Sequence, residues 1–237
     1  MTQNQMKATF LSLLILATAA VSSAQEVRVV QDFETWTSVS FKYKVNKQWR
    51  FGISENLRLN TNSSTVDQHF LELTGTFKPI KKLSTSVEWR LGGKKRTDSF
   101  QTFSRWFFAG VYEVEIGRLS LKPRLAFQTR NQYLGDISLK DVDKHFRYRL
   151  GIDYNIRNWK LDPEASFELF RHSDNDDGSE FSKYRIRIGT RIDIKDASSL
   201  KLFIAYEDEL NKKYPLQATI VGIKYNFSAK RNSKGKE

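Results

Sequence analysis

The chain has 237 residues, a formal net charge of +12 and no cysteine. Without cysteine there is no disulfide framework, no cysteine nucleophile and no thiolate metal site. After residue 24 no apolar run approaches the ~18 residues of a helical membrane span; 13% of the chain is aromatic and only four residues are proline, a balance that suits strands.

Met1–Ala24 reads as a secretory signal. Lys7 gives the positive start and Phe10–Ala20 the apolar core, too short to span a bilayer. Val21-Ser22-Ser23-Ala24 ends the segment in small residues. Removing it leaves about 213 residues and, with Lys7 gone, a charge of +11. One barrel or domain is the natural count at that length.

From Trp36 onward apolar and polar residues alternate, the period of an extended strand. Trp36–Val45 puts Val39, Phe41 and Tyr43 on one face, and Asn46–Gln48 turns. Trp49–Asn60 sets Phe51, Ile53, Leu57 and Leu59 against Arg50, Ser54, Asn56 and Arg58. A polar loop at Thr61–Thr65 leads into Val66–Phe77, then the turn Lys78–Lys82 and the strand Leu83–Leu91. Gly92–Ser99 reads as a loop. Phe100–Ile116 is less regular: Trp106, Phe108 and Tyr112 share one face, but Phe103, Phe107 and Val111 occupy the other. A bulge or an interior aromatic cluster would each account for that.

After Gly117-Arg118, Leu119–Arg130 alternates again, and Asn131–Asp143 is a long loop. Lys144–Arg171 is the clearest hairpin. Phe146, Tyr148, Leu150, Ile152 and Tyr154 oppose His145, Arg147, Arg149 and Asp153. The chain turns at Arg157-Asn158, and Trp159, Leu161, Phe167 and Leu169 then oppose Asp162, Glu164, Ser166 and Glu168. Each arm is roughly 12 residues, where a globular strand averages about 5–6 and a tilted spanning strand needs about 9–11. His172–Glu180 loops. Phe181–Ile194, Leu200–Glu209 and Leu216–Phe227 close the series, joined by Lys195–Ser199 and Asn211–Pro215.

Short and long connections alternate, and aromatics gather at both strand ends. Tyr43, Trp49, Phe77, Tyr112, Tyr154, Trp159, Tyr225 and Phe227 lie near short turns; Phe70, Phe100, Tyr133, Phe146, Phe167, Phe181, Tyr184 and Tyr214 lie near long loops. Two such belts mark two membrane–water interfaces. A negative mean hydropathy fits, because only every second barrel residue meets lipid. Eleven strands are visible, the last ending on the short-turn side. An even barrel with both termini periplasmic needs one more, for which Glu26–Asp32 is the candidate.

The expected fold is therefore all-β: an antiparallel up-and-down transmembrane β-barrel of about 12 strands, with short periplasmic turns and longer outer loops. The alternative is about 10 spanning strands, with the N-terminal segment at the rim or in the lumen. The barrel covers residues 25–228 and a charged tail covers 229–237. A soluble periplasmic β-sandwich is a further alternative.

Several stretches resemble a family of uncharacterised Gram-negative outer-membrane barrels known only as a domain of unknown function. They are Asp32-Phe33-Glu34-Thr35-Trp36, Asn46-Lys47-Gln48-Trp49, Lys78-Pro79-Ile80-Lys81-Lys82-Leu83, Phe146-Arg147-Tyr148-Arg149-Leu150, and the run from Tyr154 to Pro163. The resemblance spans essentially the whole mature chain. It implies a barrel in the bacterial outer membrane and supplies no chemistry.

Barrel enzymes generally place a histidine beside a nucleophile or carboxylate near the outer rim. His69, His145 and His172 all map to strand ends on the long-loop side, with Ser173 and Asp174 after His172 and Asp143 near His145. A lipid-modifying hydrolase using these histidines is thus an alternative function. No spacing here matches a barrel-enzyme motif, so the reading is non-enzymatic, with no catalytic residues, no cofactor and no metal. Two histidines at one hairpin end are weak evidence for zinc. The run Asp174-Asn175-Asp176-Asp177-Gly178 lacks the closing Glu of a calcium loop and reads as a turn.

Charge is the main functional signal. Export makes nucleic acid an improbable partner despite the basic balance. A midplane arginine facing lipid costs about 2–4 kcal/mol, so the polar strand faces should line the lumen. The expected lining residues are Arg147, Arg149, Lys183, Arg185, Arg187, Arg191, Glu164, Glu168 and Glu207. If the arginine excess lines an open bore, the barrel is a narrow anion-preferring channel. If the charges pair, it is a closed structural or binding barrel. The expected partners are outer-membrane lipid and lipopolysaccharide, the barrel-assembly machinery, and small anions.

Overall fold

A computed structural model describes residues 29–97, 99–133, 142–157, 161–173, 180–195 and 197–230. The signal read at Met1–Ala24, the tail beyond Lys230, Trp159 and the acidic run at 174–178 lie outside the described residues.

Alternation produces twelve strand segments. They are β1 (Val30–Lys44), β2 (Trp49–Asn60), β3 (Thr65–Ile80), β4 (Leu83–Arg96), β5 (Ser99–Tyr112), β6 (Val114–Ile116), β7 (Leu119–Tyr133), β8 (Asp143–Tyr154), β9 (Leu161–His172), β10 (Phe181–Lys195), β11 (Ser198–Glu209) and β12 (Leu216–Lys230). Sequence neighbours pair in antiparallel fashion, except that β5 and β6 do not pair with each other and both lie against β7. β5 also pairs with β7, and β1 with β12, which closes an eleven-strand ring.

The twelfth segment is β6, and it is not upstream of Trp36. Val30–Asp32 begins β1 itself. The chain breaks off β5 at Glu113, whose N–H bonds the Lys82 carbonyl at 2.7 Å, and β6 then continues the same line against β7. An odd ring of alternating strands must bring two of like direction together, so β1 and β12 pair in parallel from Val30↔Leu216 to Lys44↔Lys230. The two ends of the described chain therefore sit at opposite rims, Val30 beside the 210–215 connection and Lys230 at the short-turn end. That corrects the expectation of both termini on one side.

Two of the connections expected to be long are tight. β4 runs on to Arg96, so Gly92–Arg96 is strand rather than loop. Glycine weakens the strand signal in the sequence, but here it permits close approach: a Cβ on Gly92 would lie 2.4 Å from the Phe70 Cβ. Between β2 and β3 the Asp32 carboxylate accepts the N–H groups of Thr61 at 3.0 Å and Asn62 at 2.8 Å, holding Thr61, Asn62 and Ser63 at positive φ.

Outward-facing apolar side chains form a continuous belt. Val39, Phe41, Ile53, Leu73, Phe108, Leu125, Ile188 and Ile204 are all between 41% and 65% exposed. At the short-turn end Trp49 packs against Phe51 and Phe77, with ring centroids 6.2 and 4.6 Å away. Phe100, Phe146, Phe181 and Tyr214 are exposed near the other rim. Phe70 is a correction: read above as part of that rim belt, it is 2% exposed and faces the lumen, because it shares parity with Glu72 rather than Leu71. No helix among the described residues is long and apolar enough to cross a membrane, which says nothing about crossing by strands.

Candidate functional site: the lumen

Strand parity turns the charged faces inward, and pairing of neighbouring strands decides which charges meet. Glu168 on β9, almost fully buried, takes Arg124 of β7 at 2.5 Å, Arg147 of β8 at 2.9 Å and Arg185 of β10 at 3.8 Å. Glu72 on β3 takes Arg90 of β4 at 2.7 Å and Arg105 of β5 at 3.1 Å. Glu88 reaches Arg105 at 3.4 Å. Glu207 on β11 binds Lys183 at 2.7 Å and also pairs with Arg185, while Glu164 binds Arg187 at 3.1 Å and Lys201 at 2.5 Å. These contacts run around the wall from strand to strand. They form charge-assisted ladders where desolvated charges need good geometry to be tolerated.

A second set of inward residues is aromatic. Phe103 and Phe107 are 2% and 3% exposed, so the irregular face of β5 is an interior aromatic cluster. Phe70 packs on Phe103 with ring centroids 6.2 Å apart, Trp36 and Phe203 form a separate pair at 6.5 Å, and Phe170 is buried as well. Guanidinium groups stack on these rings: Arg58 over Trp36 at 3.7 Å, Arg90 over Phe70 at 3.6 Å and Arg187 over Phe203 at 3.8 Å. The Trp36 Nε1–H is fixed by the Glu34 carboxylate at 2.7 Å. Cation–π contacts of this kind strengthen as water is excluded. Phe203 needs glycine opposite it, since a Cβ on Gly222 would meet its ring at 1.9 Å.

A cavity of about 430 Å³ remains in the long-loop half. Among the described residues, twelve arginines and lysines border it against eight carboxylates. Arg58, Arg149 and Lys224 border it without an ion-pair partner among the described residues. A second cavity of about 270 Å³ lies towards the short turns, against β1, β2, β3 and β12, where Ser40, Gly52, Ser54, Thr74 and Thr76 are small. Glu72, Glu88 and Lys224 border both cavities, so the boundary between the two is there.

Of the residues expected in the lumen, Arg147, Arg149, Lys183, Arg185, Arg187, Glu168 and Glu207 border the larger cavity. Glu164 does not, and is taken up by Arg187 and Lys201 instead. Arg191 lies towards the short-turn end with its side chain half exposed, paired to Asp193 two residues on. Sequence reading offered an interior cluster for Phe103 and Phe107 as one of two accounts, but missed Trp36, Phe70, Phe170 and Phe203 as inner aromatics and did not rank Arg58 and Lys224 among the lining residues. The signal was present in parity, since Phe170 keeps step with Glu168 and Phe203 with Glu207.

The rim histidines separate into two places. His69 packs on Phe100, centroids 5.0 Å apart, while His145 and His172 pair across β8 and β9 with centroids 4.1 Å apart. Among the described residues no serine or threonine hydroxyl hydrogen-bonds either of the paired histidines.

The profile of a family described as "Protein of unknown function (DUF2490)" matches residues 33–214. The chain belongs to this family. Its span begins at Phe33, inside the Asp32–Trp36 stretch whose carboxylates fix the β2–β3 turn and the Trp36 ring. No curated protein matches the chain. Among solved structures it is similar to the β domain of the Bordetella autotransporter Brka, at 12% identity and a TM-score of 0.45, with 76% of this chain and 81% of that one covered. The architecture is a closed barrel with an apolar exterior and a charged interior.

Proposed function

We propose that the protein is an outer-membrane β-barrel whose lumen takes up small anions at a constriction of guanidinium groups. The apolar belt between two aromatic rims supports the membrane placement, being the surface a spanning barrel presents to lipid. In that setting the short turns face the periplasm and the longer connections face outward. Lipid and lipopolysaccharide contact the belt, and the cell's barrel-assembly machinery inserts the chain.

The observation that carries the anion reading is the surplus of cations around the larger cavity, with Arg58, Arg149 and Lys224 lacking a carboxylate partner among the described residues. A desolvated cation without a counter-charge is costly, and a small anion beside it removes that cost. A second reading, a closed binding barrel, is favoured by the boundary at Glu72, Glu88 and Lys224 between the two cavities.

The test is single-channel recording of the refolded protein across a potassium chloride gradient. Small discrete openings with a reversal potential on the chloride side are expected. The double variant Arg58→Gln with Lys224→Gln should lower the anion-to-cation permeability ratio by about threefold or more, since charge near a constriction sets selectivity. Arg185 and Arg187 are poorer targets, because they hold Glu207, Glu168 and Glu164 in place. A folded, inserted and silent barrel would exclude conduction and leave the closed barrel. Openings with cation preference would end the anion reading altogether.

A further inference from the structure

Asp143, His145 and His172 meet at the long-loop rim, where β8 begins and β9 ends, and their ligating atoms all lie within 4.8 Å of one another. The Nδ1 of His145 is 3.3 Å from Asp143 Oδ1, and the Nδ1 of His172 is 3.6 Å from the same oxygen. Register makes the meeting obligatory: His145 pairs directly with His172, and Asp143 is two residues before His145 on the same face.

Direct hydrogen bonding does not explain this arrangement. His145 is 7% exposed, yet its Nδ1 is buried with no hydrogen-bond partner, although it points at a carboxylate. The His172 contact is longer than a hydrogen bond. Buried imidazole nitrogens are nearly always satisfied. Ligands around a tetrahedral zinc, with bonds of about 2.0–2.1 Å, stand about 3.3–3.4 Å apart; the His145–Asp143 spacing of 3.3 Å already matches, the His172–Asp143 spacing of 3.6 Å is close, and side-chain rotation on binding has to close what remains of the 4.8 Å spread.

We propose that Asp143, His145 and His172 form a binding site for a first-row transition cation of the zinc class. Two imidazoles and one carboxylate select such an ion over calcium or magnesium, which take oxygen ligands. Three protein ligands leave a fourth position open. Nearby positive charge is largely neutralised, Lys183 by Glu207 and Arg147 by Glu168. Arg130, opposite Asp143 in the β7–β8 register, remains as a competitor for the carboxylate. The site clips the outer end of the β8–β9 pair. Asp143 and His145 also border the larger cavity, so a bound dication adds positive charge at the mouth of the lumen.

The experiment is calorimetric titration of tag-free, folded barrel in detergent with Zn²⁺ alone. Saturable uptake of one equivalent is expected, with affinity at least about tenfold weaker in His172→Ala and in Asp143→Asn, since each removes one of three ligands. His69→Ala, away from the cluster, should bind as the wild type does. The wild-type protein with Co²⁺ should show the visible absorption of a four-coordinate ion with nitrogen and oxygen ligands, a readout that needs no variant to fold. No saturable uptake, a colourless Co²⁺ form, uptake unchanged by both substitutions, or equal competition by Ca²⁺ would each overturn the site.

Discussion

The two ends of the lumen are built on the same strands at the same spacing, and they are filled in opposite ways. In the long-loop half the inward positions carry Trp36, Arg58, Phe70, Phe103, Arg147 and Phe170, stacked ring on guanidinium around carboxylates of which Glu168 serves three cations and Glu72 and Glu207 two each. In the short-turn half, along β1 to β3 and β12, they carry the small Ser40, Gly52, Ser54, Thr74 and Thr76, with Lys42, Arg50 and Asn226 among them and no aromatic ring between the cations. Parity is identical in both, so what differs is side-chain volume and charge. The first half acts as a core for a barrel with no other interior, while the second acts as a vestibule.

The sharpest way to break that comparison is to remove a hub from one half and a matched residue from the other. Glu168→Ala leaves Arg124 and Arg147 buried without their shared carboxylate and frees Arg185 from one of its two. Breaking a buried ion pair by deleting one partner costs about 3–5 kcal/mol. Thr74→Ala, in the vestibule, should change stability by no more than about 0.5 kcal/mol. Urea unfolding in lipid vesicles measures both, and equal losses would mean that the two halves share the load.

Glycines give the next test, at a smaller effect. A Cβ at Gly222 would overlap the Phe203 ring, and Gly222→Ala should cost about 1–3 kcal/mol as that ring is forced from the wall. In the vestibule a Cβ at Gly52 would find its nearest neighbour, the Phe41 carbonyl, at 3.6 Å, an ordinary contact. Gly52→Ala should be neutral or slightly stabilising, since glycine weakens a strand interior. The same unfolding series reads both, and a loss at Gly52 comparable to that at Gly222 would remove the distinction in packing.

How much of this was legible in the sequence follows from which features are local. Alternation is local, and it placed the strands, the lipid-facing belt and the inward charges, including the Arg147, Arg185 and Glu168 positions. Ring closure is not local. The eleventh strand meets the first only after the whole chain has wound round, so nothing near Val30 announces a parallel partner at Leu216. Depth along a strand competed with parity at Phe70, which lies near a rim yet points inward. The pairing of carboxylates with arginines depended on register between strands, which alternation leaves free by steps of two. Asp143 was noticed beside His145, but its convergence with His172 required the β8–β9 register.

The smallest expected effect concerns the parallel seam, where the vestibule is not inert. The Ser40 hydroxyl on β1 donates to Asn226 Oδ1 on β12 at 2.7 Å, and Asn226 is 8% exposed. On the outer face of the same seam Phe41 stacks on Phe227, centroids 5.7 Å apart. Parallel pairing is slightly weaker per residue than antiparallel, so cross-strand side-chain contacts matter more here than at other joints. Ser40→Ala leaves a buried amide oxygen without that donor and should cost about 0.5–1.5 kcal/mol. Ser54→Ala, one strand away, should cost less, since the Asn56 amide it serves also donates to the Ser54 carbonyl at 3.3 Å. Hydrogen exchange resolves the two. If the seam is the weaker joint, Ser40→Ala should speed exchange of β1 and β12 amides before those of β2 and β3, and uniform acceleration around the ring would show that closure is no weaker there than anywhere else.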